Sequence, residues 1–145
     1  MKLEKIKFNL ELAKMISKRS TCLRLSVGAL LTDIKGIILS VGYNGSPSGL
    51  PHCNKTNCLD LIPKPCNAVH AEVNAIIHSS IDFRLDKIIF ITDTPCFNCS
   101  KMLIAFNIKK IYFLRRYRDD LRSIKLLKEA KVKIHQYKNG SIKAI

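Results

Sequence analysis

Lys87-Ile88-Ile89-Phe90-Ile91-Thr92-Asp93-Thr94-Pro95-Cys96-Phe97-Asn98-Cys99 is the stretch from which the rest of the chain can be read. Lys87 to Thr92 is a short apolar run rich in β-branched residues, which predicts a strand. Pro95 then suits the start of a helix, where its missing N–H costs nothing. That helix runs from Cys96 to about Phe106. Cys96 and Cys99 lie one turn apart on it and can grip one metal ion. The positive end of the helix dipole favours both thiolates.

Upstream, His70-Ala71-Glu72 opens a second helix, from Val69 to about Ser80. Residues two apart on a helix do not share a face, but at a helix start both can border one site. His70, Cys96 and Cys99 thus supply His/Cys/Cys ligands for a zinc ion and leave one coordination position for water, as a catalytic zinc site requires. Glu72 stays off the metal and handles protons. Taken singly, the motifs are weaker. CxxC is also a redox motif or half of a structural zinc site, and HxE alone is common. Both together, in this order, with helical patterns after each, match the H-x-E…P-C-x-x-C signature of zinc deaminases acting on nucleobases.

The flanking elements follow by period and punctuation. Leu3 to about Lys18 reads as a helix, with Phe8, Leu12, Met15 and Ile16 at helical spacing as its core stripe. Ser26–Thr32 and Gly36–Gly42 read as two strands joined by the turn Asp33–Lys35, an antiparallel hairpin apolar enough to be buried on both faces. Tyr43 to about Asn67 has no long period and is rich in Gly, Pro, Asn, Ser and Cys. A loop of that length in a compact domain is expected to be functional or pinned. Lys110–Leu114 reads as a fourth strand, Asp119–Ala130 as the last helix and Val132–Tyr137 as a fifth strand, with 138–145 a frayed tail. From the third strand onward the alternation of strand and helix predicts parallel neighbours with helices on both faces. One α/β domain over 1–145 is expected, without internal repeat.

Composition narrows the classes. Of the 145 residues, 47% are hydrophobic, ample for a packed core. No apolar run approaches the length of a membrane span. The N-terminal MKLEKIKFNLELAK has acids among its apolar residues and no small-residue cleavage site, so a cytoplasmic location is expected, with no membrane partner. The six cysteines are then read as metal ligands or buried thiols. The formal charge of +14 attracts phosphate. A nucleotide, a nucleic acid or the lysine habit of an AT-rich genome would all produce it. Because the lysines are spread through the chain and not gathered in one block, specific nucleic-acid binding is the less expected of these.

The whole chain, and not the metal motifs alone, resembles the deoxycytidylate (dCMP) deaminases. Three further stretches carry the likeness: Ser20-Thr21-Cys22-Leu23-Arg24 ahead of Val27-Gly28-Ala29, Gly42-Tyr43-Asn44-Gly45-Ser46-Pro47-Ser48-Gly49, and Tyr117-Arg118-Asp119. It covers roughly residues 8 to 135. The resemblance implies a three-layer α/β/α cytidine deaminase-like fold around a five-stranded mixed sheet. It implies hydrolysis of dCMP to dUMP and ammonia, supplying the precursor of dTMP. An activated water attacks C4 of cytosine while Glu72 moves the protons. Asn44 is matched to a deoxyribose contact and Arg24 to the 5′-phosphate. A homohexamer is implied, activated by dCTP and inhibited by dTTP, with Mg2+ accompanying the effector. Cys22, Cys53, Cys58 and Cys66 resemble the ligands of a second, structural zinc, which would pin the long loop. Buried free thiols, or a site that takes His52 for one cysteine, are the other readings of that set. The chain departs from many bacterial relatives at Asn67, where they carry arginine.

Two rivals share part of this pattern. A tRNA adenosine deaminase has the same zinc chemistry and suits the charge, but not the GYNGSPSG stretch or the extra cysteines. A non-enzymatic zinc-binding nucleic-acid module has no use for Glu72 beside the metal. Arg115, Arg116, Tyr117 and Arg118 follow the fourth strand, at the strand end where open α/β sheets bind ligands. Their order alone does not separate a substrate contact from an effector site, a subunit interface or a basic loop.

Overall fold

The computed structural model of the chain describes residues 1–53, 66–118 and 120–145. In chain order the elements are α1 (Leu3–Ser17), β1 (Gly28–Asp33), β2 (Ile38–Tyr43), α2 (Ala71–Ile77), β3 (Lys87–Asp93), α3 (Phe97–Ala105), β4 (Ile108–Arg115), α4 (Leu121–Glu129), β5 (Lys133–Lys138) and β6 (Ser141–Ala144). The sheet runs β2-β1-β3-β4-β5-β6. β3 pairs in parallel with β4 and β4 with β5, whereas β1 is antiparallel to both β2 and β3. The mixed sheet and the parallel β3–β4–β5 core agree with the sequence reading.

Helices cover both faces. On one, Ile6, Leu10 and Ala13 of α1 pack on Leu30, Ile88, Phe90 and Tyr112. On the other, Ala71 and Ala75 of α2, Leu103 of α3, and Ile124 and Leu127 of α4 close over Leu31, Ile89, Ile91, Ile111 and Phe113. This is the expected three-layer α/β/α architecture. β3 is buried along its whole length, and it delivers the chain directly into α3. Among the described residues no helix is long and apolar enough to cross a membrane.

Three local expectations are corrected. Only half of the stripe Phe8-Leu12-Met15-Ile16 faces the core: Leu12 and Ile16 pack against it, partly buried, whereas Phe8 and Met15 are 56% and 64% exposed, and the buried face of α1 is Ile6, Leu10 and Ala13. The reason is a close approach. A Cβ on Gly28 of β1 would lie 2.0 Å from the Ala13 carbonyl oxygen and 2.7 Å from the Ser17 nitrogen. Only the small-residue face of α1 fits there. Nor is β2 buried on both faces. It is the edge strand, and Ile38 and Val41 are exposed on it while Ser40 and Gly42 are buried.

The third correction concerns the tail, which is not frayed. β6 pairs antiparallel with β5 from Lys138↔Ser141 to His135↔Ala144, making six strands where five were expected. Asn139 and Gly140 both have positive φ, 51° and 76°. That is the two-residue turn which Asn-Gly favours between twisted strands. The signal was present in the sequence, but the short polar strand after it has too little apolar period to stand out.

Lys87 at the start of β3 is fully buried. Its ammonium donates to the carbonyls of Asp82 at 3.0 Å and Phe83 at 3.1 Å and to that of Leu85, and lies 4.4 Å from the Phe106 ring centre. It satisfies the loop that returns from α2. Lys87→Met keeps the bulk but strands three carbonyls, so a loss of about 2 kcal/mol is expected in urea unfolding. Unchanged stability would show that water satisfies the loop as well.

Candidate active site

The site forms where the N-termini of α2 and α3 meet at one end of the sheet. α2 has only seven residues, too few to persist alone, so β2 must hold it. Ser40 Oγ donates to the Ala75 carbonyl at 2.6 Å, and Asn74 Nδ2 to the Tyr43 carbonyl at 2.7 Å. Gly42 allows the contact: a Cβ there would stand 2.2 Å from Ala71 O and 2.4 Å from Ala75 N. Both are backbone atoms, so the helix itself would have to move. Gly42→Ala is therefore expected to cost about 1–3 kcal/mol by overpacking. Urea unfolding of the variant checks this.

His70 is the N-cap of α2, in extended conformation, and Glu72 is buried in its first turn. α3 begins one residue later than expected. Cys96 is its N-cap, with Pro95 just outside the helix and Phe97 first inside. The Cys96 sulfur takes the place of the usual serine or aspartate oxygen and accepts from Cys99 N–H at 3.5 Å. The side chain that caps the helix is thus also one that could hold a metal ion.

The two helix starts bring three ligand atoms together. His70 Nδ1 lies 3.5 Å from Cys96 Sγ and 3.3 Å from Cys99 Sγ. Tetrahedral zinc with ordinary Zn–N and Zn–S bonds has ligand–ligand edges of about 3.5–3.8 Å, so the three fit one such ion. Among the described residues this is the one group of three or more metal-ligating side chains whose atoms converge, and Glu72 is outside it.

The electrostatics of the group suit a bound cation. A hydrogen bond with Cys99 pulls the Cys96 thiol down to about 3, against the effect of burial, and His70 lowers it further. Cys99 is pushed up, first by that same bond and then by burial. A bound divalent ion would ionise both sulfurs. His70 is raised by its bond to Cys96, while burial and the nearby Arg24 charge oppose this. Burial pushes the Glu72 carboxyl up to about 7, against a backbone hydrogen bond and His70.

Around these groups lies one pocket, walled by Arg24, Leu25, Val27, Asn44, Asp93, Thr94 and Tyr117 together with His70, Glu72 and Cys96. Arg24 is exposed on it. Asn44 is buried, and its amide is already engaged: Nδ2 donates to Leu25 O at 2.7 Å, and Oδ1 accepts from Val27 N–H at 2.8 Å and Ser20 Oγ at 2.7 Å. It therefore shapes the Ser20–Val27 wall as well as facing the pocket. Cys22 and Cys66 also border the pocket and Cys53 is half-buried; among the described residues these do not converge as a metal group. Cys58 lies outside the described residues.

Tyr117 is the residue that sequence reasoning did not assign. Its position just after β4 was the available signal. Arg115 and Arg116, by contrast, are engaged with acids: Arg115 pairs with Asp93 at 2.9 Å and Arg116 with Asp120 at 2.5 Å.

Comparison with known proteins gives three kinds of match. The family described as cytidine and deoxycytidylate deaminase zinc-binding region matches residues 3–115. "ComE operon protein 2" of Bacillus subtilis (strain 168) is 36% identical over 124 residues, covering 84% of this chain and 65% of that protein. A "Probable deoxycytidylate deaminase" of Caenorhabditis elegans is 37% identical over 134 residues, covering 88% and 66%. The chain thus spans just under two thirds of these relatives. Among solved structures, dCMP deaminase from the cyanophage S-TIM5 in complex with dCMP and dUMP superposes with a TM-score of 0.81 at 31% identity, covering 94% of this chain and 99% of that one.

Proposed function

The chain belongs to the cytidine and deoxycytidylate deaminase family, and from that premise we propose that it hydrolyses dCMP to dUMP and ammonia. The observation that carries the reading is the convergence of His70, Cys96 and Cys99 beside a buried acid that is not one of the group. The similarity to a viral enzyme crystallised with dCMP and dUMP supports the choice of nucleotide.

His70 Nδ1 and the sulfurs of Cys96 and Cys99 would hold zinc, which when bound makes a water acidic near neutral pH. The chain's own part is proton handling and placement. The Glu72 carboxylate takes a proton from the attacking water and gives one to N3 of cytosine. It then takes the remaining proton from the hydroxyl added at C4 and passes it to the departing amino group, so that water and dCMP become ammonia and dUMP. Its burial keeps its affinity for a proton near that of its partners, as such a shuttle needs. Arg24 on the pocket wall is suited to the 5′-phosphate, as a fixed cation. Asn44 has a second amide N–H for a sugar hydroxyl.

The finer features rest on the family. A second zinc on Cys22, Cys53, Cys58 and Cys66, a hexamer, and control by dCTP and dTTP with Mg2+ are part of the same proposal. Five described cysteines are free thiols, which suits a reducing compartment such as the cytoplasm. Elemental analysis should give two zinc ions per chain; a value near one with full activity ends the second site.

Ammonia release from a panel of dCMP, dCTP, cytidine and a tRNA anticodon stem, with and without dCTP and dTTP, tests the reaction. Preference for dCMP is expected. Faster deamination of the tRNA stem would overturn the assignment.

A further inference from the structure

Asp120 occupies the N-cap of α4, yet its side chain makes no capping hydrogen bond. An aspartate at that position ordinarily accepts from the helix's own first N–H groups. This one is 5% exposed, and its carboxylate turns the other way. It accepts from Thr94 Oγ1 at 2.8 Å and from Arg116 Nη2 at 2.7 Å, and the Arg116 Nε lies 2.5 Å from it as an ion pair. Thr94 Oγ1 in turn accepts from Tyr117 N–H at 2.7 Å.

The bonds run in one direction. A hydroxyl has one hydrogen to give and lone pairs to receive with. By taking the Thr94 hydrogen, the carboxylate leaves a lone pair for Tyr117. Thr94 is two residues before the ligand Cys96, and Tyr117 forms a wall of the same pocket. We propose that Asp120 is a positioning residue: through the buried Thr94 hydroxyl and Arg116 it fixes Tyr117, just after β4, against the pocket that ends at the zinc ligands. The part that concerns substrate rests on the dCMP reading above; the clamp itself does not.

Asp120→Ser separates this role from helix capping, because serine caps as well as aspartate. Two readouts are taken on the zinc-loaded chain. The first is amide exchange at Tyr117, with the Ile124 amide, which donates to the Asp120 carbonyl at 2.9 Å, as internal control of α4. The second is KM and kcat for dCMP. Exchange at Tyr117 should quicken at least about tenfold with Ile124 unchanged, and KM should rise about tenfold at unaltered zinc content, the scale of one charge-assisted bond. Arg116→Ala should add little in the Asp120→Ser background. Unchanged protection at Tyr117 overturns the clamp, and lost protection with an unchanged KM overturns its role in the site. If the parent protein releases no ammonia from dCMP, the reaction is wrongly assigned, and exchange at Tyr117 still decides the clamp.

Discussion

Glu72→Gln is expected to lower turnover of dCMP at least about 1,000-fold, within the range that a positioned proton-transfer group contributes. Glutamine has nearly the same shape and fits the buried first turn of α2. What it lacks is a proton affinity: it can neither take a proton from water nor hand one to the ring. Zinc content should stay at the parent level, because Glu72 is not among the converging ligands. KM for dCMP should change little. The measurement is kcat alongside elemental analysis on one preparation. Turnover within tenfold of the parent enzyme would remove Glu72 from the mechanism; loss of zinc would make it a ligand.

His70→Ala is expected to abolish activity by a different route. The His70 nitrogen is the atom that closes the triangle with Cys96 and Cys99. Without it, two sulfurs remain, short of the three protein ligands usual in catalytic zinc sites. Loss of a ligand's supporting partner already lowers metal affinity about 10- to 100-fold, and loss of the ligand itself should exceed that. Zinc per chain should drop by about one ion, and added zinc should not restore turnover. The fold should survive, because the His70 side chain makes no cap to α2. A variant that keeps its zinc and deaminates dCMP would overturn the site.

The two variants divide the site as its construction does. His70 and Cys96 are the residues at which two short helices begin, and each is set by its own local turn. Glu72 depends on more. It is buried in the first turn of α2, and that short helix is pressed onto the edge strand through Ser40, Gly42 and Asn74. That pressing is invisible in a motif and plain in the packing.

The same division explains which expectations failed. The apolar stripe of α1 was half misjudged because periodicity reports which residues can share a face, not which face a neighbour accepts. Gly28 admits only the small residues Ala13 and Ser17. The Asn139-Gly140 hairpin was legible from its turn pair, but β6 carries almost no apolar signal. Thr94 and Asp120 are 26 residues apart, and no spacing rule pairs a threonine before a metal ligand with a misdirected cap.

What the sequence by itself determined is the chemistry: two ligand-bearing turns, an acid two residues beyond one of them, and the alternation of strand and helix that brings them to one end of a sheet. These signals act within a turn or two of the chain, where backbone geometry is set locally. Only the tertiary structure decided that Glu72 is buried, which face of α1 is core, and where Tyr117 stands. Those depend on close approaches between distant segments, whose partners lie too far apart in the chain for local geometry to choose.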